Sequence, residues 1–170
     1  MPGHALKIKP QGDRINIQED YLGTATSQIC YPRIQSCISL TVLTSHGLIG
    51  AHITVATEDS IINDIFSNMT AANPTVAYVI GGIGHFKGKT KVSRLKTRKK
   101  MKSAIMKAMP NISNVYFFDT WQYSPDVNLG ATKNGARIDF AWENGTPVNW
   151  NDTPDMNAYN PINANHLVQK

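Results

Sequence analysis

Two neighbouring segments of the chain alternate between apolar and polar residues. Over 38–43 and again over 48–55, every second residue is apolar, a pattern typical of a half-buried β-strand. His46 and Gly47 stand between the segments, and this pair suits a two-residue turn. The pattern therefore predicts a β-hairpin, and in its simplest register Thr41 lies opposite His52.

Two later segments have the spacing of amphipathic helices. Thr57 predicts the N-cap of the first helix, whose apolar residues recur from Ile61 to Met69 and which ends before Pro74. The second helix is predicted over 92–109, with an almost wholly basic outer side. Further strands are predicted at 76–80, 115–118 and 138–142, a loop with one short strand over 1–22, and an ordered loop over 23–36.

This order of elements predicts an α+β fold in which helices flank mixed β-sheets. A length of 170 residues suits a single domain spanning 1–170. From about residue 145 the chain is rich in Asn and Pro, so an irregular C-terminal segment is expected. No apolar run is long enough to cross a bilayer. The first residues lack the apolar stretch of a cleaved signal peptide, so none is expected.

Basic residues are concentrated in one part of a chain whose net charge is +5. Residues 87–107 hold more than half of the Lys and Arg residues and no Asp or Glu. A surface of this kind favours acidic partners. We interpret it as a docking surface for an acidic protein substrate or partner, including Arg94, Arg98, Lys99 and Lys102. The alternative is a nucleic-acid-binding module, although no aromatic residues interleave with the charges for base stacking.

Cys37 and His52 are the candidate catalytic residues. Because successive side chains on a strand point to opposite faces, both lie on the polar face of the predicted hairpin. A thiol becomes an effective nucleophile when a nearby imidazole stabilises the thiolate. In the simplest register, however, Cys37 is four positions from the residue opposite His52. Contact then requires the chain to curl back at Cys37, or a bulge near Gly50.

Only two cysteines are present, Cys30 and Cys37, which is too few for a disulfide framework. Free thiols in a reducing compartment are expected, and a short Cys30–Cys37 bridge stays open. The chain has no C-x-x-C or H-x-x-x-H pattern. We therefore expect no metal site and no cofactor.

Ser36-Cys37 opens a strand and "GLIGAH" at 47–52 ends with the histidine. These residues resemble the CheD-type deamidases and the catalytic domain of the cytotoxic necrotizing factors. A helix, a strand ending in "YVIGGIG" at 78–84, a long helix and "VYFFDT" at 115–120 follow in a similar order. The resemblance covers roughly residues 22–120.

The resemblance implies a sandwich-like arrangement of β-sheets with flanking helices, and hydrolysis of a glutamine side-chain amide on a protein substrate. It assigns Cys37 as the nucleophile and His52 as the general base and acid, with the backbone of Ser36 and Cys37 holding the oxyanion. Several members orient the histidine with a Thr at the position that Tyr31 occupies here. Thr26 is the candidate for orienting the histidine, and the alternatives are Thr24, Ser27 or a backbone carbonyl.

The resemblance also suggests a biological setting. We expect a bacterial toxin or effector that is secreted without a cleaved signal peptide and acts in the cytoplasm of a target cell. The alternative is an enzyme of the bacterial cytoplasm that acts on chemoreceptors, as CheD proteins do. Within cysteine enzymes, a peptidase or a transglutaminase would use the same attack and the same thioester.

Overall fold

The computed structural model describes residues 5–145, 158–163 and 167–169. Eleven strands in this part of the chain form one mixed sheet. The strands are β1 (Lys7–Ile8), β2 (Gly12–Asn16), β3 (Tyr21–Ile34), β4 (Ile38–Thr44), β5 (Gly47–Ile53), β6 (Val76–Gly81), β7 (Asn114–Asp119), β8 (Val127–Asn134), β9 (Arg137–Asn144), β10 (Asn160–Pro161) and β11 (Val168–Gln169). The helices are α1 (Asp59–Ala71), α2 (Ile83–Lys89) and α3 (Arg98–Ala108).

The sheet is strongly curled into a half-barrel, with the strand order β10-β9-β8-β3-β5-β4-β6-β7-β11. β1 and β2 pair with β3 outside this path. β6 and β7 run parallel, whereas the pairs β3–β5, β4–β5 and β4–β6 are antiparallel. The predicted α+β class is confirmed. The resemblance implied several sheets packed like a sandwich, whereas the structure has one curled sheet.

The predicted hairpin is confirmed as β4 and β5, but its register differs by two residues. Thr44 pairs with Gly47, so Ser45 and His46 form the turn, and Ser39 rather than Thr41 lies opposite His52. Gly47 has a φ of 153°, and a Cβ there would lie 2.2 Å from the carbonyl oxygen of Ala25. This close approach to β3 requires glycine at the first paired position after the turn.

Both faces of the hairpin are buried, whereas the alternating pattern predicted a polar face in contact with water. The helices cover one face with an apolar cluster that includes Ile38, Leu40 and Ile53. The curl of the sheet covers the other face with a second cluster that includes Tyr31, Leu43 and Leu48. The polar residues on this second face are buried among them: Cys37, Ser39, Thr41, His52 and Thr54.

The long strand β3 covers residues 23–34 of the predicted loop 23–36, so that prediction is wrong except at the bend 35–36. Its Gly, Thr, Ser and Gln residues give no alternating pattern because β3 is paired with β5, β8, β1 and β2 along different parts of its length. β8 was also missed. The strand predicted at 138–142 is β9, Arg137–Asn144.

Helix boundaries differ at the N-termini. The N-cap of α1 is Glu58, because the Thr57 hydroxyl instead donates to Asp20 Oδ1 at 2.9 Å and accepts from Thr54 N. The region predicted as one helix over 92–109 contains a 3₁₀ turn at Ser93–Leu95 and then α3, capped by Thr97. Helix α2 was not predicted. No helix in the described ranges is long and apolar enough to cross a membrane.

The segment expected to be irregular from about 145 contains two short strands. β10 pairs with β9 and β11 pairs with β7, so backbone hydrogen bonds attach parts of the C-terminal segment to both edges of the sheet. Residues 146–157 lie outside the described residues.

Gly50 offers a test of the packing on the second face. A Cβ at Gly50 would lie 2.0 Å from Tyr31 Oη, whereas a Cβ at Gly88 in α2 would meet no atom within 4 Å. Because the Tyr31 hydroxyl is held on Thr41 Oγ1 at 2.6 Å, we expect Gly50→Ala to lower the free energy of unfolding by about 1–3 kcal/mol. The control Gly88→Ala should raise it by about 0.5–1 kcal/mol. Urea unfolding measures both, and equal stability of the two variants would contradict the packing.

Candidate active site

Cys37 and His52 are close in the observed register. Ser39 is opposite His52, so Cys37, the residue just before β4, lies two positions from the partner of His52 as its diagonal neighbour. Cys37 Sγ, a ring nitrogen of His52 and a carboxylate oxygen of Glu19 all lie within 4.8 Å of one another. The contact therefore comes from a two-residue difference in register and needs no bulge at Gly50.

The His52 ring is held by the backbone between β2 and β3. Nδ1 lies 3.1 Å from the carbonyl oxygen of Ile17, and because a carbonyl only accepts, Nδ1 carries the proton. Nε2 is therefore the ring nitrogen with a free lone pair. It is buried and has no hydrogen-bond partner among the described residues. The Tyr31 ring lies nearly perpendicular to the imidazole, at 78°, with 6.2 Å between the ring centroids.

Glu19 reaches the thiol from a tight turn. Tyr21 N donates to the carbonyl of Gln18, and Asp20 has a φ of 64°. Asp20 N donates to the backbone carbonyl of His52 at 2.9 Å, which fastens the turn to β5. Glu19 Oε1 then lies 4.0 Å from Cys37 Sγ. Glu19 is exposed, so the cluster meets solvent on this side.

Cys37 follows a bend at 35–36 that several groups hold in place. Gly82 N donates to the Cys37 carbonyl at 2.9 Å, and Trp121 Nε1 donates to the Gln35 carbonyl at 3.0 Å. The Gln35 side chain donates to Asp126 Oδ2. A Cβ at Gly82 would lie 2.0 Å from the Gln35 carbonyl oxygen, so the bend needs glycine beside it. The thiol therefore projects from an ordered support.

Burial keeps both candidate residues neutral. It raises the pKa of the Cys37 thiol to about 12, and the carboxylate of Glu19 adds to this effect. Burial lowers the pKa of His52 to about 4, although the hydrogen bond to the Ile17 carbonyl acts to raise this pKa. Near pH 7 the pair therefore rests as thiol and neutral imidazole, and not as a thiolate–imidazolium ion pair.

Thr26 does not lie beside His52. Its hydroxyl donates to Asp13 Oδ1 at 2.6 Å on the exposed part of β3. The orienting group is the Ile17 carbonyl, so the backbone alternative fits the geometry and Thr26 does not. Ser36 lies in the bend before Cys37, and its suggested backbone role stays a prediction. Sequence reasoning missed Glu19 and Ile17, because only the folded turn brings them to the hairpin.

The four proposed docking residues lie on or just before α3. Arg94 pairs with Asp59 at 2.7 Å, and the Arg98 guanidinium lies over the Phe117 ring. Lys99 is exposed and Lys102 is half-buried. Helix α3 packs into the cluster on the helical face of the sheet, opposite the face that carries Cys37 and His52. Docking at these residues stays a prediction, and it would be separated from the thiol by the sheet.

The donor set of the cluster also has metal-binding character. A thiolate, an imidazole nitrogen and a carboxylate are all ligands that Zn²⁺ uses in proteins. Both cysteines are free, so the Cys30–Cys37 bridge is not formed.

Comparison of the chain with protein-family models, with curated proteins and with solved structures gives no match.

The pKa of Cys37 can be tested with iodoacetamide. In a Cys30→Ala background, we expect the alkylation rate of Cys37 to rise about tenfold per pH unit from pH 7 to pH 10, because only the thiolate reacts. A plateau below about pH 8.5, the pKa of an ordinary thiol, would contradict a raised pKa.

Glu19→Gln gives the matched test of the electrostatic cause. Removing a negative charge beside the thiol should lower its pKa and increase the alkylation rate at pH 8 several-fold. Glu58→Gln removes an equal charge from an exposed position outside the cluster and serves as the control. Equal rates in the two variants would show that Glu19 does not act on the thiol.

Proposed function

We propose that the protein is a cysteine-nucleophile amidohydrolase that deamidates glutamine side chains of a protein substrate. The observation that carries this proposal is the cluster itself. A thiol lies beside a histidine whose Nδ1–H is fixed on a carbonyl and whose Nε2 is free to accept a proton. Nucleophile, base and orienting group are the three parts that covalent amide hydrolysis needs.

In the proposed reaction, His52 Nε2 takes the thiol proton while Cys37 Sγ attacks the Cδ carbon of the glutamine. Because both groups rest in the neutral state, proton transfer accompanies the attack. The backbone N–H groups of Ser36 and Cys37 are the proposed donors to the oxyanion. The imidazolium then protonates the leaving nitrogen, ammonia departs, and a thioester remains. Water hydrolyses the thioester, which gives glutamate and restores the thiol.

The shape of the site favours a side-chain amide over a main-chain peptide bond. Cys37 is only 8% exposed, so the reacting group must reach it at the end of a slender chain. A glutamine side chain has this form, whereas a peptidase must bring a whole stretch of main chain to the sulfur. A transglutaminase would share the thioester and differ only in using an amine in place of water.

An exposed aromatic side chain at the bend that precedes the nucleophile supports a polypeptide substrate. Trp121 is 39% exposed and is one of two exposed large hydrophobic residues in the described part of the chain. Its ring stacks on His85 with centroids 3.6 Å apart, and its Nε1 holds the bend before Cys37. Residues that flank a target glutamine would meet this side chain, because exposed aromatic rings are favourable contacts for polypeptides.

The proposed setting rests on the resemblance to CheD-type and necrotizing-factor deamidases. It is a bacterial toxin or effector that reaches the cytoplasm of a target cell without a cleaved signal peptide. The alternative is a CheD-like enzyme that acts on chemoreceptors in the bacterial cytoplasm.

Mass spectrometry of proteins from bacterial and eukaryotic lysates, incubated with the purified protein, tests the reaction. We expect conversion of specific glutamines to glutamate, a mass gain of about one dalton, with wild type and with the control Thr26→Ala. Cys37→Ser should lose this conversion, and His52→Ala should lose at least about 10²-fold in rate.

Other products would identify the alternatives. An amine adduct at glutamine would indicate a transglutaminase, and new peptide termini would indicate a peptidase. Conversion by Cys37→Ser at the wild-type rate would overturn the proposal.

A second candidate function is binding of nucleic acid at the basic segment. A groove of about 580 Å³ lies along α3, and its lining includes Lys99, Lys100, Ser103 and Lys107. Phosphate backbones bind such surfaces through their charge. Because the groove lies across the sheet from the thiol, binding there would not need Cys37.

Fluorescence anisotropy with single-stranded and duplex DNA tests this second function. If it holds, affinity should fall steeply as salt rises, and the Lys99→Glu/Lys100→Glu variant should lose binding while Cys37→Ala retains it. The matched control is Lys7→Glu/Lys9→Glu, which makes the same change of charge outside the groove. Equal binding by both double variants would exclude the groove.

A further inference from the structure

We propose that Glu19, Cys37 and His52 also bind Zn²⁺, and that the bound ion blocks the nucleophile. The binding part of this inference stands on the geometry of the cluster alone. The blocking part rests on the proposed function, because it assumes that the free thiol and the free Nε2 perform the reaction.

The distances in the cluster are close to those of a zinc site. Bonds from zinc to S, N and O ligands of about 2.0–2.3 Å place two ligand atoms of a tetrahedral site roughly 3.5 Å apart. The three donor atoms here lie within 4.8 Å of one another, and Cys37 Sγ and Glu19 Oε1 are 4.0 Å apart. Side-chain rotations that bring the three donor atoms about 1 Å closer together would close this difference.

The hydrogen bonding of His52 is that of a metal ligand. Metal-bound histidines usually donate their other ring N–H to a carbonyl or a carboxylate, which fixes the ring and the tautomer. Here Nδ1 is held by the Ile17 carbonyl at 3.1 Å. Nε2 is buried and has no hydrogen-bond partner among the described residues, and a ring nitrogen of His52 lies within 4.8 Å of the Cys37 sulfur and of a Glu19 carboxylate oxygen. A cation is the partner that this lone pair lacks.

The surroundings favour a cation that enters from solvent. Among the described residues, the carboxylates of Glu19 and Asp20 act electrostatically on the Cys37 thiol. The backbone of Asp20 fastens the turn to the His52 carbonyl, and its side chain accepts from Thr57. Ligands on such a fastened turn lose little freedom when the ion binds. The exposed side of Glu19 leaves a fourth position for water.

Binding would change the chemistry of the site in a defined way. The thiol releases its proton to solvent as the Zn–S bond forms, and the lone pair of His52 Nε2 enters the second bond. The ion then occupies the electron pairs of both the nucleophile and the base. A chelator that removes the ion restores both groups.

Metal binding can be measured without a known substrate. Chelator-treated, reduced protein is titrated with Zn²⁺ against a chromophoric chelator, and Co²⁺ serves as the spectroscopic probe. We expect one ion per chain and a thiolate-to-cobalt charge-transfer band. Cys37→Ser should abolish the band, and Glu19→Gln and His52→Ala should weaken Zn²⁺ binding at least about tenfold. The controls Cys30→Ser and Glu58→Gln should bind as wild type does. Binding that survives Cys37→Ser would overturn the site.

Blocking is tested on the same samples. In the Cys30→Ala background, Zn²⁺ should protect Cys37 from iodoacetamide, and EDTA should restore alkylation and deamidation together. No Zn²⁺ binding, with deamidation that still needs Cys37, would overturn this inference and leave the proposed function standing. Deamidation that EDTA abolishes would overturn both blocking and the cysteine-nucleophile proposal, because the ion would then be required.

Discussion

The candidate site depends on two backbone hydrogen bonds that fix segment 17–20 between strands. Ile17 N donates to the carbonyl of Cys30 on β3, and Asp20 N donates to the carbonyl of His52 on β5. Buried backbone groups need such partners, so the segment is anchored at both ends. Once it is anchored, the Ile17 carbonyl faces the imidazole and Glu19 faces the thiol. The orientation of the histidine and the charge beside the cysteine therefore follow from the backbone path of one short segment.

Burial on both faces of the hairpin determines the resting state of the site. A charged thiolate and a charged imidazolium would each lose hydration there, and the low polarity of the cluster favours the neutral pair. An exposed, ion-paired thiolate would react faster but would also be open to oxidation. In the proposed reaction, the neutral pair would delay thiolate formation until a substrate carbonyl is in place. Proton transfer would then be part of the chemical step.

The alternating pattern is sufficient to predict the hairpin and the shared face of Cys37 and His52, because both follow from local periodicity. The pattern is insufficient to predict the pairing register of the two strands, since a turn at Ser45-His46 and a turn at His46-Gly47 both fit the sequence. β3 was missed because its neighbours change along its length, so no single burial pattern marks it. Glu19 and Ile17 could not be found from local pattern, because their contacts with the hairpin span more than 15 residues of chain and exist only after folding.

The expected effect of Glu19 differs between the two proposed roles of the cluster, amide hydrolysis and metal binding. In amide hydrolysis its carboxylate has opposing effects, because it disfavours the thiolate and favours the imidazolium. The net help to proton transfer is therefore small. In a metal site the carboxylate and the thiolate act in the same direction, since both neutralise the charge of the ion and both are ligands. The Glu19 carboxylate accepts from the Cys37 thiol at 4.0 Å; it would have opposing effects in the proposed amide hydrolysis and would act in one direction at the proposed zinc site. This asymmetry is the physical reason for assigning zinc to the same three side chains.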